Sequence, residues 1–191
     1  MVSADFSLII MNSSRGSRRD EATLLLADAD KLALLQTRTQ LVGAGIRSLI
    51  EEVADAPGLI LALTRRLRHD TSALPLVVFM EVSMRKTSGF DALAWIRNEP
   101  SLGDLPVIIL TASEDEAQIS KAYQLGADGY LLKGKNIEAF TYIYQQAHRV
   151  RAGEIPRAGA FATLPGNKRI AEEEELSYTP GTAAASDHSA A

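Results

Sequence analysis

Four short, unbroken apolar runs most constrain what this chain can become: Leu24 to Ala27, Leu76 to Met80, Val107 to Leu110 and Tyr130 to Leu132. None alternates with polar residues, so none reserves a face for water. Runs of this length that stay apolar throughout read as strands buried on both sides. A weaker fifth run covers Ser48 to Val53. The segments between them repeat apolar residues at helical spacing. One set is Leu32, Leu35 and Val42, and a second is Leu59, Leu63 and Leu67. Phe90, Leu93 and Ala94 follow, then Ile119, Ala122 and Tyr123, then Ile137, Phe140, Tyr144 and Ala147. Ser113 with Glu116 predicts a capping box at a helix start, and Gly126 after Leu125 predicts a stop. Strands and helices in strict alternation predict an α/β fold: a single doubly wound, five-stranded parallel sheet with helices on both faces.

This pattern occupies residues 23–151. Residues 1–22 are expected to be a flexible arm. Their apolar patch, Phe6 to Met11, precedes Arg15, Arg18 and Arg19, the reverse of the order in a secretory signal. From Ala152 the chain turns rich in Ala, Gly, Pro, Ser and Thr, with an acidic block at Glu172 to Glu175. Such a segment has little apolar side chain to offset the entropy of ordering, so residues 152–191 are expected to be a disordered tail. The chain contains no cysteine, which excludes disulfides, thiolate metal sites and cysteine nucleophiles. A formal net charge of -4 gives no sign of a nucleic-acid-coating surface. No apolar run approaches the ~18 residues of a membrane span. These features predict a cytoplasmic protein with neither nucleic acid nor membrane as a ligand.

In open parallel sheets the working crevice lies beyond the carboxyl ends of the strands. Counted as strands in chain order, Asp28-Ala29-Asp30 follows the first, Glu81-Val82-Ser83-Met84 the third, Thr111 the fourth and Lys133 the fifth. Polar residues often end strands simply because the chain is leaving the core, so each alone says little. Together they bring two acids, a hydroxyl and a lysine to one crevice. His69, His148 and His188 have no zinc or catalytic spacing, and Trp95 reads as packing.

The segments LLLADAD, LVVFMEVSMRKTSGFDAL, LPVIILTASED and GADGYLLKG resemble the response-regulator receiver domain of two-component signalling, over about two-thirds of the chain. The longer stretch Arg65 to Leu74 is similar to the subclass that partners bacterial phytochromes. The resemblance implies the flavodoxin-like receiver fold. It also implies a phosphoryl group taken onto an Asp after the third strand, with Mg²⁺ held by acids of the first and third strands. A Thr and a Lys would hold the phosphoryl oxygens, and an aromatic residue of the fifth strand would follow the Thr inward.

Carried over residue by residue, the pattern keeps Asp28, Thr111, Tyr130 and Lys133. Ala29 stands at the second metal acid, Glu81 at the phosphoacceptor, Arg85 at the usual proline and Gly134 at the proline after the lysine. Ser83 falls where a backbone carbonyl reaches the metal, and Asp30 lies one step beyond the metal acids. Glu81 reaches roughly 1 Å further than Asp, towards Lys133 and Thr111. Without the second acid, Mg²⁺ should bind weakly at best, and no other cofactor is expected. Two readings of Glu81 stay open: a decayed site reduced to a salt bridge, or a residue that fixes an active-like state. The expectation is a non-enzymatic pseudo-receiver acting through the face of its fourth helix, fifth strand and fifth helix on a histidine kinase or a downstream signalling protein. The rivals are a working stand-alone receiver and, more remotely, a small-ligand α/β enzyme, for which the chain offers no nucleophile–base pair, metal cluster or phosphate loop.

Overall fold

The computed structural model describes residues 22–69, 73–84, 88–135 and 137–169. Five strands, β1 (Thr23–Ala27), β2 (Leu49–Val53), β3 (Val77–Met80), β4 (Val107–Thr111) and β5 (Gly129–Leu132), alternate with five helices, α1 (Lys31–Gly43), α2 (Ala56–His69), α3 (Gly89–Asn98), α4 (Glu116–Gln124) and α5 (Ile137–Arg151). All strand pairs are parallel and the order is β2-β1-β3-β4-β5. β1 therefore pairs with β2 on one side and β3 on the other, with Leu26 opposite both Glu52 and Phe79. The direction in which successive strands are added reverses there, with every strand still parallel, and this switch point opens the crevice beyond the ends of β1 and β3.

Burial explains the unbroken apolar runs. Leu24, Leu26, Val77, Phe79, Ile108, Leu110 and Leu131 face α1 and α5, whereas Leu25, Ala27, Val78, Met80, Val107, Ile109 and Tyr130 face α2, α3 and α4. Alternate residues thus feed two cores, and every residue of β3, β4 and β5 is buried. β2, at the edge, has no buried residue, consistent with its weaker run.

Three expectations need correction. The stripe Leu32, Leu35 and Val42 of α1 points to solvent, at 61%, 58% and 62% exposure. The helix buries Ala33, Leu34, Thr37 and Leu41 instead. Both sets have helical spacing, and the inward one contains a threonine, so an all-apolar criterion selects the wrong face. The cap of α4 is Asp115, whose carboxylate accepts the Gln118 N–H at 2.9 Å. Ser113 instead accepts the Asp115 N–H in the preceding turn, at 3.2 Å. Gly126 does end α4, in a left-handed conformation at φ 88° that favours glycine.

The third correction concerns the tail. Residues 152–169 are packed on the domain, while residues 170–191, like residues 1–21 of the expected arm 1–22, lie outside the described residues, and Ala22 is buried in the core. Phe161 and Leu164 are 2% and 4% exposed and join the core formed with α1 and α5. Ordering this segment rests on a few discrete anchors rather than on a periodic face. Phe161→Ala is therefore expected to destabilise the domain by about 3 kcal/mol, as for a buried aromatic truncated in a core. A denaturant melt showing a loss below about 1 kcal/mol would restore the reading of residues 152–191 as a disordered tail.

Candidate functional site

The crevice is built from four strand ends. Asp28 follows β1 and is 8% exposed, and Glu81 follows β3 at 7%. Thr111 is the last residue of β4, at 2%, and Lys133 follows β5. The fold brings all four predicted residues to one end of the sheet.

Lys133 lies between the two carboxylates. Its Nζ is 2.5 Å from Asp28 Oδ2 and 2.6 Å from Glu81 Oε2. The remaining oxygens are taken up by backbone. Glu81 Oε1 accepts the Val82 N–H at 2.7 Å and the Ser83 N–H at 3.1 Å. Asp28 Oδ1 accepts the Asp30 N–H at 2.9 Å. Burial acts to lower the Lys133 pKa, but hydrogen bonds and charge from Asp28 and Glu81 outweigh it and hold the ammonium above its ordinary value.

The other predicted residues divide in their roles. Asp30 is exposed and caps α1, accepting the Leu32 N–H at 2.8 Å. Ala29 lines the crevice beside it with no ligating atom. Thr111 Oγ1 accepts the Ser113 N–H at 3.3 Å. The expected bond from Thr111 to Glu81 is not among those of the described residues. Tyr130 is fully buried, and its hydroxyl donates to the Ser113 carbonyl at 3.0 Å. Burial, with the Glu81 charge adding, pushes the Tyr130 phenol up. Gly134 adopts φ 79°, a reason for glycine at that position. Arg85 lies outside the described residues.

Two features escaped sequence reasoning. Asp55, at the crevice mouth, caps α2 through the Gly58 N–H at 2.8 Å, and only proximity to a helix start hinted at it. Gly89 opens α3 against the Glu81–Val82 backbone, where an added Cβ would lie 2.3 Å from the Glu81 carbonyl oxygen. Glycine there lets α3 close on the loop that carries Glu81.

A parallel β2-β1-β3-β4-β5 sheet with acids after β1 and β3, a hydroxyl ending β4 and a lysine after β5 defines a receiver-type signalling domain. The family model for the response regulator receiver domain matches residues 24–144, and the chain belongs to that family. Response regulator Rcp1 of Synechocystis is 29% identical over 40% of this chain and 52% of its own length. The transcriptional regulatory protein MctR of Rhizobium johnstonii is 30% identical over 77% of this chain and 67% of its own length. The chain thus spans about half to two-thirds of these two relatives. Among solved structures, the bacteriophytochrome response regulator RtBRR matches at a TM-score of 0.57 and 23% identity, covering 78% of this chain and 98% of that one. The chemotaxis response regulator CheY4 of Vibrio cholerae matches at 0.52 and 24%, covering 66% and 98%. At these identities the structural likeness establishes the shared fold. Among the described residues no helix is long and apolar enough to cross a membrane.

Proposed function

We propose that this receiver works without phosphorylation, as a protein-interaction module of a two-component pathway. The observation that carries the reading is the lysine bridge: the Lys133 ammonium lies within 2.6 Å of both acids, with the second Glu81 oxygen occupied by two backbone amides. The residues do not fit Mg²⁺. A small divalent cation needs near-octahedral oxygen ligands, whereas here an ammonium already takes the facing carboxylate oxygens and Ala29 contributes no side-chain oxygen. Glu81 reaches Lys133, the contact that a phosphoryl oxygen would make in the family's chemistry. With Tyr130 buried and bonded to the β4–α4 loop, this favours the active-like reading of Glu81 over simple decay.

The partners this reading assigns are proteins, a histidine kinase upstream or a signalling protein downstream, with no enzymatic activity and no nucleic acid. The surface assigned to partners is the α4–β5–α5 face.

Incubation with an acyl phosphate and Mg²⁺, followed by intact-mass measurement, tests the reading. An unchanged mass is expected, and a gained phosphoryl group would overturn it. Mg²⁺ should also leave the amide NMR signals of Asp28, Glu81 and Lys133 unmoved below millimolar concentration. Saturable shifts centred on these three would show that the ammonium yields to the metal.

A further inference from the structure

β5 is the edge strand of the sheet, and an edge leaves backbone donors and acceptors free to pair with another chain. Here that edge is taken by the protein's own residues 157–169. The Lys168 N–H donates to the Tyr130 carbonyl at 2.8 Å, and the Tyr130 N–H donates to Asn167 Oδ1 at 2.9 Å. The segment thus adds one backbone bond and one side-chain bond to β5, in the manner of a short extra strand. It also reaches both flanking helices. The single Tyr123 hydroxyl proton of α4 is shared between Asn167 Oδ1 at 2.8 Å and the Lys168 carbonyl at 2.9 Å. On α5, the Tyr142 hydroxyl donates to the Ala160 carbonyl at 3.2 Å.

The anchors are built for docking. Leu164 packs on Gly129, where an added Cβ would lie 2.6 Å from Leu164 Cδ2. Arg157 lies 2.5 Å from the buried Asp128 carboxylate, which also receives Arg97 at 2.9 Å. Burial pushes the Asp128 carboxyl up even against two guanidinium groups, so its charge depends on keeping them close.

We infer that residues 157–169 form an intrachain strap over a strand-edge docking site on β5, and that a partner's extended segment takes this edge when the strap leaves. The partner chemistry follows from the strap: an apolar pair three residues apart, followed by an Asn or Asp side chain and a free N–H at the edge. Tyr130 couples strap and crevice. Its backbone holds the strap, while its side chain holds Ser113 beside Thr111. The inference rests on the reading that the α4–β5–α5 face is the working surface.

The test uses the full chain in three forms: wild type, Phe161→Asp/Leu164→Asp, and Arg157→Ala/Asn167→Ala. The last removes only polar anchors and decides the matter if the first double variant fails to fold. Amide hydrogen exchange should rise at least tenfold at Tyr130 and across residues 157–169 in a released variant, with β1 and β3 unchanged. A fluorescein-labelled peptide of residues 155–169 should bind a released variant at least tenfold more tightly than it binds wild type. Wild-type exchange at Tyr130 in a folded variant would overturn the inference, as would equal or absent peptide binding. Strap protection that falls on dilution would place the strap on a second copy and overturn the intrachain assignment. Phosphorylation of wild type would sink the proposed function yet leave these exchange results standing, so the two failures are distinguishable.

Discussion

The variant Ala29→Asp/Glu81→Asp is expected to gain one phosphoryl group from an acyl phosphate in the presence of Mg²⁺, where wild type gains none. The first change returns a hard oxygen ligand beside Asp28. The second shortens the side chain by one methylene, withdrawing it from Lys133 and placing an acid of the family's length at the phosphoacceptor position. In the transfer, an Asp oxygen bonds to phosphorus while the bond from phosphorus to the acyl oxygen breaks and a carboxylate leaves. Asp28, Thr111 and Lys133 already stand at the crevice. Each single variant should do poorly, because a metal site and its nucleophile act as a unit and their effects are not additive. Intact mass reads the result directly. A Glu81→Asp single variant phosphorylated as fully as the double would show that Ala29 is not what excludes the metal.

Lys133→Met is expected to cost about 3 kcal/mol, because removing one partner of a mostly buried ion pair leaves the others unpaired. For a chain of this size that corresponds to a fall in melting temperature of about 10 °C. Here two carboxylates, Asp28 and Glu81, would face each other with no cation between them. Adding Glu81→Gln to Lys133→Met should recover part of the loss, since it removes one of the facing charges. Failure of that rescue would mean that lost packing by the lysine stem, not charge, is responsible. The pH dependence has a fixed sign. Lys133 is held above its ordinary pKa in the folded state, so its contribution is fully present below about pH 10.4, the unfolded value. It is lost as pH rises through the folded value. Wild type should therefore show an alkaline loss of stability that Lys133→Met lacks.

Much of the site was legible because receiver chemistry sits at strand ends, and strand ends are where apolar runs stop. Asp28, Glu81, Thr111 and Lys133 each follow or close such a run, and the sheet order brings them together. The pairing of Lys133 with Glu81 could be anticipated from one extra methylene. Its simultaneous bond to Asp28 could not, because that depends on the relative positions of β1, β3 and β5. Thr111 shows the limit from the other side. Its reach to Glu81 was plausible by length, but the bond its hydroxyl makes among the described residues, accepting the Ser113 N–H, is set by the turn after β4.

The sequence by itself determined the fold class, since strands buried on both faces leave a continuous apolar signature that no half-exposed sheet can carry. It also set Asp28, Glu81, Thr111 and Lys133 at the ends of apolar runs that the fold brings to one crevice, while a break in the metal and acceptor pattern at Ala29 and Glu81 is what the family resemblance implies. The tertiary structure alone decided which face of α1 is inward. Two interleaved stripes there have the same period, and only packing in the core shared by β1 and α5 selects the one containing Thr37. It alone decided the fate of residues 152–169 as well. Their order comes from single long-range contacts, Arg157 to Asp128, Leu164 to Gly129 and Asn167 to Tyr130. Such contacts leave no periodic trace, because each anchor meets a surface assembled from residues 29 to 37 positions away in the chain.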